Sequence, residues 1–252
     1  MATLNLTPKN SSSAPLELPT QQTELATPVV TEDTTLSIPA AVSHGCIEGE
    51  ITASDLKVPR LNLSQKSGNL GDSFAPGTFV FEKQVLIAAP GSAFVAIPLR
   101  MKKYYQEKVE FGVDQVARKA NTSAEVRAFG GTTDYDLKDE LPWFQDIADI
   151  RLAVQAPIDL DEQYSEFFPY SDGTNNFALA IYTVASSAYT SLAKRFITDG
   201  EYLLKGALYS GRYEISGELR KGANFSWHIP VGKFLMKNTP DQTEFFKGLA
   251  GL

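Results

Sequence analysis

Alternating apolar and polar side chains predict β-strands along much of the chain. The clearest case is residues 94–105, where the apolar side chains share one parity and the charged ones the other. The apolar parity consists of Val95, Ile97, Leu99 and Met101. Pro98 predicts an edge strand or a bulge here, because proline cannot donate a ladder hydrogen bond. Further strands are expected over 58–63, 78–87, 147–155, 177–184, 207–219 and 223–231.

A helical period marks residues 187–198, where apolar side chains recur at the i, i+3, i+4 spacing. Ser186 or Ser187 is expected to cap this helix and Gly200 to end it. The expected buried stripe consists of Tyr189, Leu192, Ala193, Phe196 and Ile197. Shorter helices are expected over 122–129, capped by Thr122 or Ser123, and over 240–249.

Many short strands with one well-formed late helix predict a mainly β fold. The helix lies between strands 177–184 and 207–219, the place that a helix takes in an oligonucleotide-binding (OB) Greek-key barrel. We therefore expect an OB-like barrel or a related antiparallel sandwich over residues 50–238. Residues 134–172 form an acidic insert in this domain, and residues 239–252 are expected to be a short helix or tail.

Residues 1–49 are acidic and rich in Ser, Thr and Pro, which predicts a disordered tail. The net charge of -7 is unevenly distributed. Residues 57–133 hold 11 bases and 6 acids, and residues 173–238 hold 8 bases and 4 acids, whereas residues 134–172 hold 2 bases and 11 acids. An acidic protein with two basic blocks can still present a cationic surface to an anionic partner.

Motifs for catalysis are not found in this sequence. The chain has one cysteine and two histidines, and it lacks the G-x-S-x-G, phosphate-loop and H-E-x-x-H patterns. We therefore expect no enzyme activity, no metal site and no cofactor. An apolar run of the roughly 18 residues that cross a bilayer is also lacking, so no membrane partner is expected.

Basic and aromatic residues cluster in residues 100–108 and, more sparsely, on the late helix and the final hairpin. Single-stranded nucleic acid is bound by cations that follow its phosphates and by aromatic rings that stack on its bases. The predicted nucleic-acid-binding residues are Arg100, Lys102, Lys103, Tyr104, Tyr105, Lys194, Arg195, Arg212, Arg220 and Lys221. The alternative is a solvated surface whose lysines protect a strand edge. The aromatic residues expected in the core are Tyr209, Tyr213, Phe225 and Trp227.

Residues 55–66, with Pro59, Leu61 and Leu63, resemble the opening of a class of phage-encoded proteins, and residues 183–195 and 213–215 are similar to their C-terminal half. Several of those proteins are regarded as single-stranded DNA-binding. The resemblance covers about residues 50–235 and implies a viral protein, located in the host cell cytoplasm, with an OB-like barrel.

The function expected from these observations is binding of single-stranded DNA, without sequence preference, in phage replication or recombination. Its partners would be single-stranded nucleic acid and, in addition, replication proteins. The alternative is a virion or assembly protein that acts through self-association into a homo-oligomer.

Overall fold

The computed structural model describes residues 58–68, 70–109, 115–223 and 225–251. These residues form a mainly β fold of two antiparallel sheets, which confirms the predicted class. The small sheet consists of β1 (Leu61–Leu63), β2 (Phe79–Phe81) and β3 (Val85–Ala88). The large sheet consists of β4 (Ala93–Glu107), β5 (Lys119–Ala120), β6 (Phe144–Gln155), β7 (Tyr170–Ser171), β8 (Asn176–Ala185), β9 (Gly211–Lys221) and β10 (Ser226–Lys237).

Strand order in the large sheet is β10-β9-β4-β6-β8-β7, with β5 paired to β4. Within the described residues the sheet is open, with β10 and β7 at its ends, and does not close into a barrel. The predicted tail, residues 1–49, and the proposed start of the domain at residue 50 lie outside the described residues.

Helix α1 (Ser123–Ala128) begins as predicted, because the Thr122 side chain accepts a hydrogen bond from the Glu125 backbone N–H. Helix α2 covers residues 186–202 and consists of α-helical Ser186–Ala188, π-helical Tyr189–Ala193 and α-helical Lys194–Tyr202. Helix α3 (Pro240–Ala250) confirms the predicted C-terminal helix and begins with a Thr239–Gln242 capping box. Among the described residues, no helix is long and apolar enough to cross a membrane.

The large sheet is packed on both faces. On one face, which we call the α2 face, helix α2 and the small sheet bury a core in which Phe196 lies 4.7 Å from Tyr213 and Phe79 lies 4.9 Å from Phe94, measured between ring centroids. On the other, the α3 face, helix α3 covers only part of the sheet, and its Phe246 packs 5.1 Å from Phe177. The remainder of the α3 face carries Arg100, Lys102 and Arg151 among its side chains.

Strand β4 contains a bulge between Pro98 and Arg100, one of the two outcomes predicted for the proline. The strand is central rather than an edge. Pro98 is tolerated because β9 pairs with β4 only as far as Ala96. The extra residue shifts the alternation, so the prediction of one common apolar face was wrong: Leu99 packs toward α3, whereas Met101 packs on the α2 face.

Helix α2 differs from its prediction at both ends. Ala185 precedes its first turn, and no side chain caps it. Gly200 lies inside the helix, where a Cβ would come within 2.9 Å of Leu208 Cδ2, so this glycine serves close packing and not termination. Ile197 is 40% exposed and does not belong to the buried stripe. The π-helical stretch explains this, because it adds residues to the turn and rotates the following positions.

The hairpin of β9 and β10 forms where the sequence predicts it, but its aromatic residues separate into two groups. Tyr213 is fully buried, and Tyr209 is half-buried against α3, in agreement with the core prediction. Phe225 is 70% exposed and Trp227 is half-buried, so the prediction was wrong for Phe225. Alternation predicts the face of the sheet to which a strand residue points. Phe225 precedes the first residue of β10, Ser226, and is therefore outside the strand to which the alternation applies.

Candidate nucleic-acid interface

Five cations lie together on the part of the α3 face that helix α3 leaves uncovered, and we call them the basic face. Strand β4 contributes two of them after the bulge, β5 and β6 contribute one each, and the last precedes β1 beside the edge of β8. The basic face consists of Arg60, Arg100, Lys102, Lys119 and Arg151. Four are exposed and Arg151 is half-buried.

Arg100 and Arg151 are direct partners in the pairing of β4 with β6, so two guanidinium groups project from opposed positions on the same face. Burial lowers the pKa of Arg151, and the positive charge of Arg100 lowers it further. Within the described residues neither arginine forms an ion pair or a side-chain hydrogen bond. Like charges directly opposed on a sheet are destabilising, and an anion bound between them would relieve the repulsion.

The neighbouring strand extends this surface. Arg60 bridges to Ile181 of β8, and Ile181 is the partner of Arg151. The carboxylate of Asp149 lies nearby, where it accepts a 2.6 Å hydrogen bond from Thr183 Oγ1. Asp149 is the strand partner of Lys102, but the two side chains do not form an ion pair. The basic face therefore keeps most of its positive charge available to an external anion.

Tyr104 has the parity predicted for it but is only 9% exposed, so its ring cannot stack on a base. Lys119 Nζ lies 5.3 Å from the centre of this ring. Burial raises the pKa of Tyr104, and the neighbouring charge of Asp149 raises it further. The tyrosine is thus an internal support beneath the cations and not a contact surface.

The remaining predicted residues do not join the basic face. Lys103 and Tyr105 project to the α2 face, where Lys103 Nζ lies 2.8 Å from Asp146 and 4.8 Å from the Tyr105 ring centre. Three predicted arginines form ion pairs: Arg195 with Asp199 at 2.7 Å, Arg212 with Asp172 at 3.2 Å, and Arg220 with Glu218 at 3.2 Å. Lys194 and Lys221 are exposed, on α2 and at the tip of the hairpin.

Sequence reasoning missed Arg60, Lys119 and Arg151. Alternation in residues 147–155 already assigned Arg151 to the polar side of its strand. It could not show that β6 pairs with β4 in the register that brings Arg151 opposite Arg100. A search for polar-face cations on every predicted strand would have included Arg151. It would not have shown that Arg151 lies opposite Arg100.

Replacing Arg195 by Ala is expected to lower the free energy of unfolding by about 1–3 kcal/mol, because it leaves the buried carboxylate of Asp199 without its donor. The matched control is Lys194→Ala on the same helix, which removes an exposed charge and should change stability by less than about 0.5 kcal/mol. Urea unfolding of the two variants measures this difference. Equal stability would show that the Arg195–Asp199 pair contributes nothing to the fold.

Comparison with protein-family models, with curated proteins and with solved structures finds no significant match for this chain. Within the described residues, no group of three or more His, Cys, Asp or Glu side chains is arranged to bind a metal ion.

Proposed function

We propose that this protein binds single-stranded DNA without sequence preference and that the basic face contacts the phosphates. The main support for the proposal is the opposed pair Arg100 and Arg151. Arg100 is exposed and Arg151 is half-buried, and neither has a counter-ion among the described residues. A site that accumulates positive charge at a cost to the fold is adapted to bind an anion.

The arrangement of the cations supports a polymeric anion over a small one. They extend from Lys119, beside the end of β4, across β4 and β6 to Arg60 at the edge of β8. Cations on three neighbouring β-strands, together with Arg60 beside a fourth, can contact several phosphates of one DNA strand. Phosphate contacts carry no sequence information, which supports binding without sequence preference. The resemblance to phage-encoded proteins suggests replication or recombination of phage DNA as the setting.

Fluorescence polarisation with labelled oligo-dT, at about 50 mM and 200 mM salt, tests the proposal. Affinity should fall steeply with salt, since bound phosphates release counter-ions. The double variant Arg100→Gln/Arg151→Gln should bind more weakly, and the slope of log affinity against log salt should be shallower by about 1.4. Its melting temperature should not fall, because the two like charges have been removed.

The matched control is Lys194→Gln/Lys237→Gln, which removes two exposed cations outside the basic face and should leave the slope nearly unchanged. Equal effects of the two double variants would contradict a localised site. Failure of the unaltered protein to bind oligo-dT, together with salt-insensitive self-association, would favour the virion or assembly function instead. A duplex of the same length, used as competitor, tests the preference for single strands.

A further inference from the structure

A groove runs beside the β9–β10 hairpin, bounded by the loop after β1 and by the start of α2. It consists of three adjoining hollows of about 300, 550 and 620 Å³. The first and second share Gln65, Ala188 and His228 among their lining residues. The second and third share Lys66, Ser67, Phe225 and Ser226. Each hollow therefore has lining residues in common with the next, and we call the three together the groove.

One end of this groove adjoins the basic face. Arg60, Ile181 and Thr183 line the first hollow. Arg60 belongs to the basic face, and Ile181 is the strand partner of Arg151. A single DNA strand that lies on the basic face can therefore continue into the groove without leaving the protein surface.

The charge of the groove matches an anionic chain. Its walls carry the cations Arg60, Lys66 and Lys221 together with His228, and no Asp or Glu among the described residues lines any of the three hollows. Gln65 holds one wall in place: its Oε1 accepts from the His228 backbone N–H at 2.8 Å, and its Nε2 donates to the His228 carbonyl at 2.9 Å. These two bonds fix the loop after β1 against β10.

The far end of the groove presents an aromatic surface. Phe225 is 70% exposed, and its ring centroid lies 5.1 Å from that of Trp227. The Trp227 Nε1–H donates to Ser187 Oγ at 3.1 Å, which fixes the orientation of the indole. Phe225 thus rests on an anchored ring while most of its own surface faces solvent. Such a ring between lysines is suited to stack on a nucleobase, and every base has a π-face to offer.

We propose that this groove binds the unpaired bases of a strand whose phosphates are held on the basic face. Phe225 stacks on a base, and Lys66 and Lys221 contact the adjacent phosphates. The inference rests on the proposed function and adds to it the origin of the preference for single strands. In a duplex the bases are paired and stacked on one another, so they have no free face for Phe225.

Two oligonucleotides of equal length, oligo-dT and an abasic strand with the same phosphates, separate stacking from charge. At low salt the unaltered protein should bind oligo-dT about tenfold more tightly than the abasic strand. The Phe225→Ala variant should bind the two oligonucleotides with more nearly equal affinity. Its slope of log affinity against log salt should stay that of the unaltered protein. The control is Tyr202→Ala at the end of α2, which removes a ring that is 85% exposed and lies outside the groove, and which should keep the ratio.

A second variant, Phe225→Leu, keeps apolar volume at the hairpin tip but removes the ring, and it should also lose the preference for oligo-dT. Retention of the preference in both Phe225 variants would overturn the inference, whereas the Arg100/Arg151 experiment would still decide the proposed function. A dimer that dissociates on Phe225→Ala in the absence of oligonucleotide, seen by light scattering, would assign the groove to a second copy of the chain and would also overturn it.

Discussion

Replacing Phe196 by Ala is expected to lower the free energy of unfolding by about 3–5 kcal/mol. The side chain is fully buried, and its ring packs edge-to-face on Tyr213 with centroids 4.7 Å apart. Gly232 brings the β10 backbone against the same site, where an added Cβ would lie 2.7 Å from Leu192 Cδ1 and 3.4 Å from Phe196 Cε1. Helix and sheet are therefore in close contact around the ring, and little can move into the space that it leaves.

The neighbouring residue provides the control for this experiment. Ile197→Ala also removes an apolar side chain from α2, but Ile197 is 40% exposed. This substitution should therefore lower the free energy of unfolding by far less than Phe196→Ala. Urea unfolding followed by far-ultraviolet circular dichroism measures both variants. Equal losses, or a larger loss at Ile197, would mean that α2 packs on the sheet through a different side from the one described.

Replacing Asp172 by Ala is expected to lower the free energy of unfolding by about 3 kcal/mol at neutral pH. The reason is that Arg212, which is mostly buried, would lose its carboxylate partner. The Asp172 side chain is fully buried, and that of Arg212 is 14% exposed. Asp172 also accepts hydrogen bonds from the backbone N–H groups of Thr174 and Asn175 and from Gln242 Nε2 of α3. One carboxylate thus joins the β7–β8 turn, strand β9 and helix α3.

The stabilisation by Asp172 should depend on pH with a definite sign. Burial by itself would raise the pKa of this carboxyl, but the hydrogen bonds from Asn175, Thr174 and Arg212 outweigh burial and hold it below its ordinary value. A group whose pKa is lowered in the folded state stabilises the fold above its ordinary pKa, about 4, and loses this effect as the pH falls through the lower, folded value.

Melting temperatures of the unaltered protein and of Asp172→Ala should therefore differ most near pH 7 and converge in strong acid. The matched control is Asp139→Ala, an exposed carboxylate in the same acidic segment, which should change stability by less than about 0.5 kcal/mol. A difference that stays constant down to pH 2 would show that the charge of Asp172 is not what stabilises the junction.

The amino-acid sequence by itself determined the elements whose cause is local. Period-two alternation predicted most of the long strands, and Thr122 predicted the start of α1, because caps and alternation depend only on residues a few positions apart. Arg100 and Lys102 share one face, as their equal parity indicated, although the bulge after Pro98 places them on the face of Leu99 and not opposite to it.

Tertiary structure decided which cations remain available. Arg212 meets Asp172 across 40 positions of sequence, and Arg151 meets Arg100 only through the pairing of β4 with β6. Alternation assigns a side chain to one face of a strand, but it specifies neither the neighbouring strand nor the register. The bulge at Pro98 and the π-helical stretch of α2 each shift a local period by an amount that packing sets. For these reasons the sequence predicted a basic surface, and only the folded chain showed which residues form it.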